Sequence, residues 1–531
     1  MQLLPTRGRY AAGEPVHIEI RGADGPGMLR IWHLGVEVGG AAYDRDGVVA
    51  LGPLDAGGFG VEAVDPAGNV LARTAVHVQA DDCGESVCRY GFVANYRPGR
   101  DLAPVADLAR RLHLTAIQCY DWAFRHADLM GGGETYADAL GNPVSLATVR
   151  RLVAAAHAVG ADAIGYAAVY GVGAAEWPAW ADLALLDAEG SAYALGDFLR
   201  VVDPAAPRWL DHVTGDLRAA VEGVGFDGFH LDQYGWPKAA IRADGAAVDV
   251  AVSFGTLLRA ARVALPKSRL IFNNVNDFPT WATAGEPTDV VYVEVWSPHD
   301  RLADLAAVVA RARAVGAGKP VVIAAYLSVF LTAARVEAEQ ALRLISATLW
   351  SHGATHLIAG EDGRLLVDPY YVRNLAAVPE TLDILARWSD FLLAHHDLLL
   401  DPAITDVTGA YAGPYNDDVD VTFPGVRVGG IAEAGTVWRR VTDTAYGLVV
   451  HLVNLTNVAD PRWDAPHPVP GEIVDGVLRV RRVGPGAVEV GAADPDGSCR
   501  LEPLDSVIAG THARVDLPPL RTWLVVLIRT R

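Results

Sequence analysis

The sequence predicts a multidomain protein: a (β/α)8 TIM barrel flanked by an N-terminal immunoglobulin-like β-sandwich and a C-terminal β-sandwich. Three observations carry this. The chain has 531 residues, too many for one domain at roughly 100–200 residues each. Both ends alternate apolar and polar residues with the two-residue period of half-buried strands. The middle interleaves nearly continuous apolar runs with amphipathic segments of helical period, the rhythm of a parallel sheet covered by helices. The expected domains are 1–85, 86–403 and 404–531.

In the first region, Val16-His17-Ile18-Glu19-Ile20 alternates, as does Phe59-Gly60-Val61-Glu62-Ala63-Val64. The turn Asp65-Pro66-Ala67-Gly68-Asn69 then leads into a strand over 70–78. In the middle, strands are expected at 89–95, 115–122, 163–170, 228–234, 270–276, 290–296, 320–327 and 355–361, with helices between them, among them 146–158, 209–221, 303–315 and 336–350. Eight such units make a closed barrel. The rival doubly wound sheet would place a glycine-rich phosphate loop after its first strand, and none stands there. The last region returns to alternation at 419–423, 448–452, 477–480 and 523–528.

Composition excludes several function classes. Lys+Arg number 44 and Asp+Glu 64, a net charge of −20, which disfavours nucleic acid and anionic membrane as partners. The longest uncharged apolar run, 320–334, falls short of the ~20 residues of a membrane span. Residues 1–7 hold no apolar core of signal-peptide length, so the expectation is a cytoplasmic protein, or a secreted one if a leader has been removed. Cys83, Cys88, Cys119 and Cys499 match no zinc spacing and read as reduced thiols. No metal or cofactor is expected: the acidic stretch Asn416-Asp417-Asp418 with Asp420 reads as a solvated loop.

Chemistry in a barrel sits at the C-terminal strand ends, and here those ends carry carboxylates: Asp121 on the second strand, Asp232 on the fourth, Glu294 on the sixth and Glu361 on the eighth. Side chains alternate along a strand. In the sixth strand Tyr292, Glu294 and Trp296 share one face and Val291, Val293 and Val295 the other, which suits the helix layer; Glu294 therefore points inward. The same parity turns His230 and Asp232 inward and leaves Asp227 for a structural role. Strands four and six are separated by one strand, so Asp232 and Glu294 can approach, whereas Glu361 lies across the ring. Two carboxyls amid aromatics are what glycoside hydrolysis needs: one protonates the leaving oxygen, the other attacks the anomeric carbon or activates water. Tyr120, Trp122, Asn273, Asn274 and Trp296 supply stacking faces and hydrogen-bonding groups suited to sugar rings.

At these residues the chain resembles glycoside hydrolase family 66, the dextranases and cycloisomaltooligosaccharide glucanotransferases. The matching stretches are Ile117-Gln118-Cys119-Tyr120-Asp121-Trp122 with Arg125-His126, the strand 225–232, Tyr292-Val293-Glu294-Val295-Trp296, and Asp368-Pro369-Tyr370-Tyr371. The resemblance implies a retaining enzyme acting on α-1,6-linked glucose chains, with Asp232 as nucleophile and Glu294 as general acid/base. It implies that Tyr120, Asp121 and His126 hold the sugar before the cleavage point; Gln233, Glu361 and Tyr370 complete the expected binding set. Parity places Asp121 on the wrong face if its strand runs regularly to the end. Glu294 is expected to have a raised pKa and Asp232 to stay ionised. The larger glucanotransferases carry an inserted carbohydrate-binding module, for which no inter-strand segment here is long enough, so hydrolysis is expected over cyclisation. A cytoplasmic family member would meet imported isomalto-oligosaccharides, linear or cyclic. The alternatives are a transglycosylating family member and a non-catalytic sugar-binding barrel.

Overall fold

Eight parallel strands form where the apolar runs predict them: β1 Tyr90–Val93, β2 Ala116–Cys119, β3 Asp162–Ala168, β4 Gly228–Asp232, β5 Arg269–Val275, β6 Val290–Glu294, β7 Val321–Ala324 and β8 Ala354–His356. The computed structural model describes residues 1–80, 87–482 and 488–530; Cys83 and the expected boundary at 85–86 lie outside the described residues. Each strand pairs in parallel with the next, from β1 through to β8. Across the remaining gap the Glu361 backbone N–H donates to the Phe92 carbonyl at 2.7 Å and the Thr355 hydroxyl to the Cys88 carbonyl at 2.6 Å, so the ring nearly closes. The strands are covered on both faces: every residue of β5 and β7 is buried.

The strands are shorter than the apolar runs. β2 stops at Cys119, and two residues on Asp121 takes φ 47°, in the left-handed region that ends a ladder. β8 stops at His356; beyond it Ala359–Gly360 pair antiparallel with Arg364–Leu365, and Glu361 takes φ 52°.

The outer layer contains α1 Ala103–Arg111, α2 Leu146–Ala158, α3 Pro207–Val224, α4 Val250–Ala264, α5 Leu302–Val315, α6 Arg335–Ser351 and α7 Pro379–Ala394. Local chemistry sets their ends. Ser145 caps α2 by accepting from the Thr148 N–H, and Asp249 caps α4. In α3, Pro207 opens the helix, Gly225 closes it at φ 94°, and Trp209, Val213, Leu217, Ala220 and Val224 form the buried stripe. Just beyond, Asp227 bonds the Ala163 N–H and His157 Nε2, both at 2.7 Å; it pins the N-terminal ends of β3 and β4, away from the strand tips.

Each end region has two sheets around one core. At the N-terminus a three-stranded and a five-stranded sheet enclose Val16, Ile18, Ile20, Leu29, Ile31, Val61 and Val76. The outer face of the larger sheet receives α7 so closely that a Cβ on Gly58 would lie 2.0 Å from the Leu393 carbonyl oxygen. At the C-terminus a seven-stranded and a four-stranded sheet enclose Val421, Val441, Val450, Leu478 and Val515. In the strand Trp523–Thr530, Leu524, Val526 and Ile528 belong to that core, while Trp523, Val525 and Leu527 join the barrel core. Trp523 meets Trp350 of α6 and Trp388 and Phe391 of α7, with ring centroids 6.5, 6.1 and 5.3 Å away.

No described helix is long and apolar enough to cross a membrane. In the acidic stretch at 416–420, Asp417 and Asp418 both pair with Arg481, and among the described residues no three His, Cys, Asp or Glu side chains are arranged to hold a metal ion.

Trp523 is fully buried between two domains' worth of core. Trp523→Ala should therefore cost about 3–5 kcal/mol of stability, measured as a lowered urea midpoint. An unchanged midpoint would mean that the C-terminal sheet contributes nothing to holding the barrel helices.

Candidate active site

Alternation along the strands decides what faces the bowl at the C-terminal end of the barrel. In β4, Phe229 and Leu231 are fully buried toward the helices, leaving His230 and Asp232 inward. His230 forms the floor: it stacks between Tyr90 and Tyr166 and meets Tyr292 edge-on. Burial pushes its imidazole down to about 3, so it is neutral. In β5, Asn273 sits opposite Tyr292 of β6 and Val275 opposite Glu294, which turns Asn273 inward and Asn274 outward.

The bowl has a volume of about 280 Å³ and is lined by Tyr120, Asp121, His126, Asp232, Gln233, Asn273, Glu294, Trp296 and Tyr370, together with residues the sequence did not single out. At its centre one amide nitrogen joins two carboxyls. Asn273 Nδ2 donates to Asp232 Oδ1 at 2.7 Å and to Glu294 Oε2 at 2.8 Å, so those two oxygens can be no farther apart than the sum, 5.5 Å. The other oxygen of each carboxyl takes a phenol: Tyr166 donates to Asp232 Oδ2 at 2.6 Å and Tyr326 to Glu294 Oε1 at 3.0 Å.

The electrostatics follow from burial and like charge. Glu294 is pushed up to about 7, first by desolvation and then by the Asp232 charge, against the bonds from Asn273 and Tyr326. Desolvation raises Asp232 too, opposed by its bonds from Tyr166 and Asn273. The two carboxyls titrate as a pair. Asp121 is pushed up to about 8 by burial and then by Asp138 and Asp232. Parity places it outside the bowl; its left-handed backbone, φ 47°, turns it in.

The other residues predicted to bind substrate divide into three groups. Tyr120 stacks on Tyr371 with centroids 4.2 Å apart, and Trp296 and Tyr370 stand half-exposed on the rim. His126, which burial and Arg125 push down to about 4, presents a buried Nδ1 that has no partner among the described residues. Gln233 lines the bowl, but its amide is spent on backbone: Nε2 donates to the Asn273 and Phe278 carbonyls and Oε1 accepts from the Gly235 N–H. Trp122, Asn274 and Glu361 do not line the bowl, contrary to expectation. Trp122 is wholly buried against Phe226, its indole N–H donating to the Tyr166 carbonyl at 3.1 Å. Asn274 faces the helix layer, donating to the Tyr292 carbonyl at 2.9 Å and accepting from Thr283 at 2.5 Å. Glu361 pairs with Arg100 and accepts the Ala94 N–H at 2.5 Å, holding the seam between β8 and β1.

Tyr166, Tyr326, Tyr234 and Tyr371 were missed. Parity carries the signal for the first two. Tyr166 lies opposite inward His230, and Tyr326 follows Val322 and Ala324, which lie opposite inward Tyr292 and Glu294.

A family model described as glycosyl hydrolase family 66 matches residues 7–527. A cycloisomaltooligosaccharide glucanotransferase of Niallia circulans is 26% identical over 411 residues, covering 68% of this chain and 41% of that protein. A dextranase of Streptococcus salivarius is 23% identical over 414 residues, covering 65% of this chain and 50% of its own. The chain thus spans half or less of the length of these curated relatives. In fold it is similar to the crystal structure of a Paenibacillus sp. cycloisomaltooligosaccharide glucanotransferase complexed with cycloisomaltoheptaose, with a TM-score of 0.87, 20% identity and 99% of each chain covered.

Asp121 supplies a test of the electrostatics. Its folded value near 8 lies above its ordinary value, about 3.9 in an unfolded chain. The unfolded chain therefore sheds this proton first, and the contribution to stability is full below about pH 4 and declines until pH passes about 8. Asp121→Asn should leave the melting temperature near wild type at pH 4 and raise it progressively toward pH 8. A constant offset across that range would mean that the carboxyl is ionised in the folded protein.

Proposed function

Because this chain belongs to glycosyl hydrolase family 66, we propose that it is a retaining glycosidase of α-1,6-linked glucose chains, acting on isomalto-oligosaccharides, linear or cyclic. The observation that carries the reading is the carboxyl pair held on one amide nitrogen, with facing oxygens at most 5.5 Å apart. Retaining pairs stand about 5–5.5 Å apart and inverting pairs about 6.5–9.5 Å, the wider gap leaving room for water.

Asp232 attacks the anomeric carbon while protonated Glu294 gives its proton to the departing glycosidic oxygen. The product is a covalent glucosyl–Asp232 and a freed hydroxyl. Glu294, now ionised, takes a proton from water, which displaces Asp232 and restores the anomeric configuration. The bonds from Tyr166 and Asn273 to Asp232 favour its charged form, and desolvation favours the proton on Glu294. Tyr120, Asp121 and His126 hold the glucose that becomes attached to Asp232. A second reading, transfer of the glucosyl unit to a sugar hydroxyl, draws on the glucanotransferase relatives. It shares the first step and differs in the acceptor.

Incubation with dextran, linear isomalto-oligosaccharides and cyclic ones should release shorter linear products; no cleavage of any of the three sinks the reading. Longer or cyclic products at high substrate concentration would select the transfer reading. Asp232→Gly with azide should yield a glycosyl azide, of β configuration and so inverted from the substrate. If wild-type product anomers instead appear inverted by NMR, the double displacement is wrong.

The pH profile gives a further check. With Glu294 pushed up to about 7, kcat/KM should fall as pH rises through about 7, since the acid must carry its proton. Glu294→Gln should abolish that limb and slow cleavage of natural substrates by roughly 10²–10⁴.

A further inference from the structure

Asn273 is the residue on which both carboxyls of the bowl depend. A primary amide offers two N–H groups from one nitrogen, about 120° apart, and so can serve two separate acceptors. A Ser or Thr hydroxyl has one hydrogen to give, an Asp carboxylate none, and a Lys would add a full charge. With its nitrogen toward Asp232 Oδ1 and Glu294 Oε2 the amide serves two acceptors, while its Oδ1 is buried with no hydrogen-bond partner among the described residues. The residue itself is held in place. Its carbonyl takes the Gln233 amide at 3.1 Å, its strand is paired on both sides by β4 and β6, and its chain neighbour Asn274 is locked to the Tyr292 backbone.

Resting on the glycosidase reading, we infer that Asn273 is a positioning residue of the carboxyl pair: its amide nitrogen sets the spacing of Asp232 and Glu294 and lets them share one proton at that spacing. Two carboxylates this close in a dry bowl repel, and either their separation grows or one takes up a proton. The bridging N–H groups tie the two side chains to one point and stabilise the charge on Asp232, so the pair keeps its spacing with a single proton, on Glu294. The surrounding titratable groups do not duplicate the bridge. Tyr166 and Tyr326 each reach one carboxyl only. Asp121 donates no hydrogen bond to either carboxyl in the described contacts, and its own carboxyl is raised by burial and then by Asp138 and Asp232. His230 is a neutral ring below them, and the phenols of Tyr120, Tyr234, Tyr292 and Tyr371 all stay protonated, their pKa values raised by burial.

The test separates positioning from sugar binding. Kinetics on a linear isomalto-oligosaccharide across pH are compared for wild type, Asn273→Ala and Asn273→Asp. Losing the bridge removes a donor from Asp232, so the acidic limb of kcat/KM should move up by about one unit in the alanine variant. It should move farther in the aspartate variant, where a third carboxyl replaces the donor, and kcat should fall more than KM rises. Limbs that stay in place while KM alone rises would overturn the inference and make Asn273 a sugar ligand only. A measurement on the resting wild-type enzyme needs neither variant to fold nor any turnover. The side-chain ¹⁵N resonance of Asn273, selectively labelled, should titrate in step with the carboxyl pair. A resonance indifferent to pH would overturn positioning even if the enzyme cleaves its substrate. If the resonance titrates but no α-1,6-glucan is cleaved, the substrate reading fails and the bridge stands.

Discussion

Everything in the bowl depends on one constraint, the alternation of side chains along strands hydrogen-bonded into a nearly closed ring. A parallel ladder leaves each strand no freedom to rotate, so every second side chain must enter the interior. Registers fixed by the ladder then place Tyr166 beside His230, and Asn273 beside Tyr292. Eight strands give an interior just wide enough for side chains to fill. His230 and three tyrosines fill it, and the polar groups one step higher are forced against one another. The closeness of Asp232 and Glu294 is a consequence of ring geometry before it is a feature of chemistry.

That closeness has an electrostatic cost, and the bowl is organised to bear it. Burial raises all three acids, Asp121, Asp232 and Glu294. Neutral donors meet the charge that remains: two phenols, the Asn273 amide, the Trp296 side chain and the Gln233 backbone N–H. No cationic side chain touches Asp232 or Glu294 in the described contacts, in contrast to Glu361, which Arg100 pairs with, opposing but not outweighing the effect of burial. The same residue type, at or beyond the ends of strands separated by one other, thus meets a guanidinium in one place and only neutral donors in the other.

Much of this was legible in the sequence where a regular period governs. The eight strands, four of the barrel helices, the inward aim of Asp232 and Glu294 and the structural role of Asp227 all follow from counting by two or by 3.6. Legibility ended where the ladder ended. Asp121 turns into the bowl through a left-handed backbone that parity cannot foresee. Glu361, beyond the end of β8, turns to the seam and to Arg100, a partner distant in sequence. Trp122 and Asn274 carry side chains that suit a sugar, yet one lies past the end of β2 and the other on the outward face of β5. The tyrosines at 166 and 326 obey the same parity, but a phenol on an apolar strand reads as core.

The strand Trp523–Thr530, buried on both faces over 523–528, bears on the order in which the chain can mature. Trp350, Trp388 and Phe391 lie in helices completed well before Trp523 is made. On a ribosome working from the N-terminus, the barrel's eight strands can all have emerged while this aromatic face still looks into water. Until the last strand arrives, the nascent chain presents a broad sticky surface of the kind that chaperones recognise. The segment farthest in sequence from the first barrel strand is therefore the one whose arrival ends the period of greatest vulnerability to aggregation.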